Sequence, residues 1–182
     1  MDEPIDRSEG EPPLREMKAR DVIDVITRLT EAGIEVVVDG GWGVDALLGH
    51  QIRLHEDLDI AVEHRHVARL REVLGADGYT ETARDDTRDC NFVLADRQGH
   101  EIDVHSYTFD GEGKPVYGVA YPKDSLSGTG SVDGLPVRCI SAEWMVRFHT
   151  GYPLDENDFK DVSALSQRFG IEIPEGYDEL RK

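Results

Sequence analysis

Two aspartates separated by a single residue stand in the run Arg53-Leu54-His55-Glu56-Asp57-Leu58-Asp59-Ile60. The stretch Leu58 to Val62 alternates like a half-buried strand, so Asp57 and Asp59 share one face, about 7 Å apart at ~3.3 Å per residue. Like charges held this close must be solvated, share a proton or bind a cation. A hard divalent ion such as Mg²⁺ takes oxygen ligands and commonly combines one or two carboxylates with substrate phosphate. A third carboxylate lies in Glu101-Ile102-Asp103-Val104-His105, whose alternation puts Glu101, Asp103 and His105 on one face. If the two strands are neighbours, Asp103 completes a triad suited to metal-assisted phosphoryl or nucleotidyl transfer. It could also accept the proton of an attacking hydroxyl.

The pair Gly40-Gly41 follows a β-branched run and precedes a short helix expected from Trp42 to Leu48. Glycines let backbone N–H groups approach phosphate oxygens, and a helix start aims its positive end at them. Taken singly, a Gly-Gly is an ordinary turn and an Asp-x-Asp is an ordinary solvent-facing pair. Their order shifts the balance: Gly-Gly, short helix, Asp-x-Asp on the next strand, and one aspartate on a later strand. Arg53 either touches phosphate or braces the acidic cluster. His55 reads as a structural hydrogen-bonding residue. His105 either holds Asp103, borders an acceptor pocket or is a satisfied strand histidine. Lys160, a basic residue on the last helix, is a candidate for the triphosphate, with an ordinary surface lysine as the alternative.

Periodicity supplies the elements that must position these groups. Met17, Val22, Val25, Ile26 and Leu29 recur at helical spacing within 16–32, and Gly33 follows as a C-cap. Residues 34–38 form a continuous β-branched run broken only by Glu35, which predicts a central strand. Val67, Leu70, Val73 and Leu74 give a second amphipathic helix. Strands are expected over 79–83, 91–95 and 101–107, the last two joined by the hairpin turn Asp96-Arg97-Gln98-Gly99. The segment 108–134, rich in glycine and holding Pro115 and Pro122, suits a flap or hairpin over a site. A strand over 135–140 follows, then a helix capped by Ser141 and a last helix over 157–169 stopped by Gly170. The expected architecture is an α/β (α+β) domain with a mixed sheet flanked by helices, spanning 14–140, and a small helical part over 141–182. Residues 1–13, acidic and holding Pro4, Pro12 and Pro13, read as a tail.

The 182 residues carry 20 Lys and Arg against 38 Asp and Glu, a formal charge of −18. Such a surface argues against nucleic acid, where affinity comes from lysine and arginine displacing counterions; it suits a small cationic molecule, and equally plain solubility or adaptation to a salty cell. No apolar run reaches the ~20 residues of a membrane span. The first residues lack the basic start and apolar stretch of a secretory signal. Together with Cys90 and Cys139 read as reduced thiols in strands, this predicts a cytoplasmic protein.

Asp39-Gly40-Gly41-Trp42-Gly43-Val44-Asp45, Arg53-x-His55-x-Asp57-x-Asp59, Ile102-Asp103-x-His105, and Cys139-Ile140-Ser141-x-Glu143 followed by Phe148-His149-x-Gly151-Tyr152 together resemble the small antibiotic nucleotidyltransferases of the polymerase-β superfamily. The likeness is closest to the lincosamide nucleotidyltransferases and more distant to the aminoglycoside 2″-nucleotidyltransferases, and spans residues 34–165. It implies a nucleotidyltransferase fold and transfer of a nucleoside monophosphate from a nucleoside triphosphate, with ATP the expected donor, to a drug hydroxyl with loss of pyrophosphate. Carried over by position, Asp57 and Asp59 would be Mg²⁺ ligands, Asp103 general base or shared ligand, and Gly40 and Gly41 the triphosphate cradle. Dimers occur among the related drug enzymes, which leaves room for a homodimer. The segment 110–134, where acceptor contacts are expected, follows neither drug family closely. Two other readings keep the fold: transfer to a metabolite, protein or RNA acceptor, and a nucleotide-binding module without turnover. A complete set of three aspartates argues against the last.

Overall fold

The computed structural model describes residues 16–177, so the tail expected over residues 1–13 lies outside the described residues. Chain order is α1 (Ala19–Glu31), β1 (Val37–Val38), α2 (Gly40–Leu48), β2 (Asp57–Glu63), α3 (Val67–Ala76), β3 (Thr80–Thr82), β4 (Asn91–Ala95), β5 (Glu101–Phe109), β6 (Pro115–Gly118), β7 (Gly128–Val132), β8 (Leu135–Cys139), α4 (Ala142–Phe148) and α5 (Glu156–Phe169). The strands form one mixed sheet in the order β3-β4-β5-β2-β1-β8-β7, with β6 paired to β5 beyond the end of β4. Strands β2 and β5 run parallel, as do β1 and β8, and the other pairs are antiparallel.

Alternation in β2 and β5 divides the core. Leu58, Ile60, Val62, Ile102 and Val104 point to one face and pack with Val22, Leu29, Leu70 and Leu74 of α1 and α3. That burial lets two amphipathic helices close one side of the sheet. On the other face Val37, Ala61 and Tyr107 pack with Met145, Val146, Val162 and Leu165 of α4 and α5. The carboxylates lie on this second face, toward the starts of β2 and β5.

Several elements depart from the periodicity. Of residues 34–38 only Val37 and Val38 join the ladder, although Ile34 and Val36 are buried. Here β-branched residues follow core burial, not strand pairing. Helix α2 begins at Gly40, two residues before Trp42, because Asp39 caps it: its side chain accepts from Gly40 N at 2.8 Å and its carbonyl from Gly43 N at 2.9 Å. The Gly-Gly pair is therefore the first turn of a helix and not a break before one. The glycine-rich stretch is more regular than expected, forming β6, a 3-10 turn over Lys123–Ser127, and the β7–β8 hairpin. Cys139 lies in β8, Cys90 immediately precedes β4, and both are free thiols. No helix among the described residues is long and apolar enough to cross a membrane.

Candidate active site

The register of β2 against β5 pairs Asp57 with Glu101, Asp59 with Asp103 and Ala61 with His105. Two acidic residues far apart in sequence thus become lateral neighbours on one sheet face. Ligand atoms of Asp59, Asp103 and His105 all lie within 4.8 Å of one another. The His105 ring Nε2 is 3.6 Å from Asp59 Oδ1 and 3.9 Å from Asp103 Oδ1. Asp57 is on the same face two residues earlier, more exposed, and outside this tight group.

Concentrating carboxylates here shifts their protonation. Burial pushes Asp57 up to about 6, helped by the negative charges of Asp59, Asp103 and Glu101. Asp103 is also raised, by burial first, with His105 opposing and Asp59 reinforcing. At His105 burial favours the neutral ring, but the close Asp59 carboxylate and the fields of Asp103 and Asp39 outweigh it and raise its pKa. The same carboxylates thus favour the charged form of the ring, which offsets part of their negative charge when it carries the proton.

A divalent cation fits the carboxylates of this cluster. Asp103 Oδ1 is buried and has no hydrogen-bond partner among the described residues, an expensive state for a carboxylate oxygen that a bound ion would relieve. The carboxylate oxygens are ligands of the kind Mg²⁺ selects. In metal-free protein the cluster costs stability, which gives a pH signature. A carboxyl whose pKa is higher folded than unfolded destabilises the fold as pH rises from about 4 through about 6. Replacing Asp57 by Asn should therefore raise the melting temperature of EDTA-treated protein at pH 7.5. After solvent screening the gain is about 1 kcal/mol, or about 2–4 °C, and it should vanish near pH 4. Differential scanning calorimetry at the two pH values checks this.

The start of α2 lies against this cluster. A Cβ on Gly40 would fall 2.1 Å from Asp59 Oδ2, and one on Gly41 would fall 2.4 Å from His55 Nδ1 and 2.5 Å from an Arg53 guanidinium nitrogen. Both glycines are thus needed for close approach of helix and motif residues, and α2 begins directly beside Asp59. Gly40 also has φ +56. Gly40→Ala should cost about 1–2 kcal/mol in backbone strain and displace Asp59, lowering turnover more than tenfold. Thermal melts and steady-state rates of the purified variant read both effects.

The remaining motif residues brace the site. Arg53 donates from Nε to Asp161 Oδ1 at 3.0 Å and from Nη2 to Asp161 Oδ2 at 2.8 Å, tying the loop before β2 to α5. Its guanidinium nevertheless stays next to Gly41. His55 Nε2 meets Asp45 Oδ2 at 2.5 Å in a buried pair, and its ring lies 4.8 Å from that of Trp42. Asp45 Oδ1 also accepts from Ile52 N at 3.1 Å. Lys160 is exposed on α5, whereas its neighbour Asp161 points inward. The sequence places Asp39 and Asp45 in a motif without giving either a role, and Asp161 stands outside every motif. An aspartate immediately before a helix is a cap signal that points to Asp39. For the buried pairings of Asp45 and Asp161 no local signal exists.

A mixed sheet that brings carboxylates from two parallel strands together beside a glycine-led helix start has the architecture of the nucleotidyltransferases. The sequence profile of the family described as aminoglycoside-2''-adenylyltransferase matches residues 21–165. A lincosamide resistance protein of Staphylococcus haemolyticus is 31% identical over 134 residues, which cover 70% of this chain and 81% of that protein. The chain belongs to this family of antibiotic nucleotidyltransferases. Its fold is shared with the lincosamide antibiotic adenylyltransferase LnuA, solved with lincomycin bound, at a TM-score of 0.72 and 24% identity, over 83% of this chain and 98% of that one. It is shared also with ANT(2")-Ia in complex with adenylyl-2"-tobramycin, at a TM-score of 0.69 and 20% identity, over 90% and 94% of the two chains.

Proposed function

We propose that the protein transfers AMP from ATP to a hydroxyl of a small cationic antibiotic, a lincosamide or an aminoglycoside, with release of pyrophosphate. The observation that carries this reading is the pairing of Asp59 with Asp103 beside the N-terminus of α2. Family membership supports an adenylyl donor and a drug acceptor. The charge of −18 supports an amine-bearing acceptor.

In this reading the N–H groups at the start of α2 bind and orient the triphosphate. Asp57, Asp59 and Asp103 would hold Mg²⁺, which supplies neutralisation of the charge that develops on the phosphates. Asp103 takes the proton of the acceptor hydroxyl as its oxygen attacks the α-phosphorus in line. The new bond joins that oxygen to phosphorus, and the bond to the β-phosphate oxygen breaks. Arg53 and Asp161 keep the loop before β2 against α5, so that Asp57 and Asp59 stay aligned with Asp103.

The test mixes purified protein, Mg²⁺ and each nucleoside triphosphate with a panel of lincosamides and aminoglycosides. Mass spectrometry should show a drug gaining one AMP with equimolar pyrophosphate. No mass gain on any drug, with labelling of protein or RNA instead, would overturn the acceptor class.

A further inference from the structure

Asp39 is a fourth carboxylate on the catalytic face. Strand β1 continues the register beyond Val38, opposite Ile60, so that Asp39 sits beside Asp59, and its N–H donates to the Asp59 carbonyl at 2.9 Å. Across β1, β2 and β5 the face therefore presents Asp39, Asp59 and Asp103 in sequence. Yet every polar group of Asp39 is engaged within the protein. Oδ1 accepts from Gly40 N at 2.8 Å, the carbonyl accepts from Gly43 N at 2.9 Å, and Oδ2 accepts from the Tyr121 hydroxyl at 2.8 Å.

Tyr121 belongs to the irregular stretch between β6 and β7, far from the motif in sequence. It is 4% exposed, and its ring packs 5.9 Å from that of Tyr107 and 6.0 Å from that of Phe148. A hydroxyl so immobilised fixes the rotamer of the carboxylate it meets. Without it, Oδ2 would be a buried oxygen with no partner, next to Asp59 and free to turn toward a cation.

We propose that Tyr121 is a positioning residue for the nucleotide-binding end of α2, acting through Asp39. Its hydroxyl keeps Asp39 as the cap on the Gly40 and Gly43 N–H groups, so the Gly41 and Trp42 N–H groups are left for the triphosphate and the carboxylate stays out of the metal group. This rests on the functional reading above, in which the α2 N-terminus receives the triphosphate. The acceptor lies outside this relay.

The experiment compares wild-type protein with Tyr121→Phe, which keeps the ring, and with Tyr107→Phe, which removes a neighbouring aromatic hydroxyl outside the relay. Calorimetric titration with a non-hydrolysable ATP analogue, with and without Mg²⁺, should show affinity falling five- to tenfold or more in Tyr121→Phe and within twofold of wild type in Tyr107→Phe. In steady-state assays KM for ATP should rise by a similar factor, with KM for the acceptor within twofold. Hydrogen exchange at the Gly41 to Val44 amides should quicken at least fivefold in Tyr121→Phe. Unchanged affinity and unchanged exchange would overturn the proposal, as would equal losses for ATP and acceptor or equal effects in the two variants. Wild-type protein that fails to bind the analogue would overturn the functional reading as well, whereas wild-type binding that Tyr121→Phe leaves intact would overturn this inference alone.

Discussion

Asp103→Asn is expected to lower kcat for nucleotidyl transfer by about 10²–10⁴-fold while leaving the fold intact, since asparagine has the same shape and cannot take a proton. The geometry makes the loss specific. Asp103 lies in register with Asp59, its Oδ1 has no hydrogen-bond partner among the described residues, and burial raises its pKa, which strengthens it as a base. Asp59→Asn should produce a comparable loss by removing a carboxylate from the tight group. Steady-state kinetics with circular dichroism on both variants separate chemistry from folding. Turnover of Asp103→Asn within tenfold of wild type, with the spectrum unchanged, would contradict the assigned role.

The largest effect on stability is expected at Arg53. Its side chain is 20% exposed and its partner Asp161 only 1%, so Arg53→Ala leaves a carboxylate buried without its bidentate donor. Breaking such a pair costs about 3 kcal/mol, or of order 10 °C in melting temperature for a chain of this size. Arg53→Lys should recover only part, because an ammonium cannot reproduce two parallel hydrogen bonds. Combining Arg53→Ala with Asp161→Ala should be milder than Arg53→Ala alone, because no orphaned charge remains. Thermal melts of the four proteins measure this. A phosphate-binding role alone would instead leave the melting temperature unchanged and raise KM for ATP, which separates the two roles open to this arginine.

Much of the site was legible because alternation is local. Leu58 and Ile60 against Asp57 and Asp59, like Ile102 and Val104 against Glu101 and Asp103, declare which side chains share a face. What alternation cannot supply is register between distant strands, since β2 and β5 are separated by α3 and the β3–β4 hairpin. Only the pairing of β2 with β5 brings the third aspartate beside the first two. The start of α2 was misplaced by two residues, as Gly40-Gly41 looks like a break when its cap is ignored. On α5, Lys160 attracted attention as a cation, yet a one-residue step turns a helix by 100° and brings Asp161 to the interior. Tyr121 was invisible for a different reason: its partner Asp39 is 82 residues away, and the segment carrying it has neither helical nor strand periodicity.

In the proposed mechanism Asp57, Asp59 and Asp103 serve one nucleotidyl-transfer centre at the N-terminus of α2. A crystal grown with Mn²⁺ in place of Mg²⁺ and a non-hydrolysable ATP analogue, with anomalous scattering locating the metal, examines that centre. A Mn²⁺ peak is expected within bonding distance of these carboxylates, with the triphosphate on free backbone N–H groups at the start of α2. A metal and triphosphate bound elsewhere on the chain, with all three carboxylates left in solvent, would contradict it.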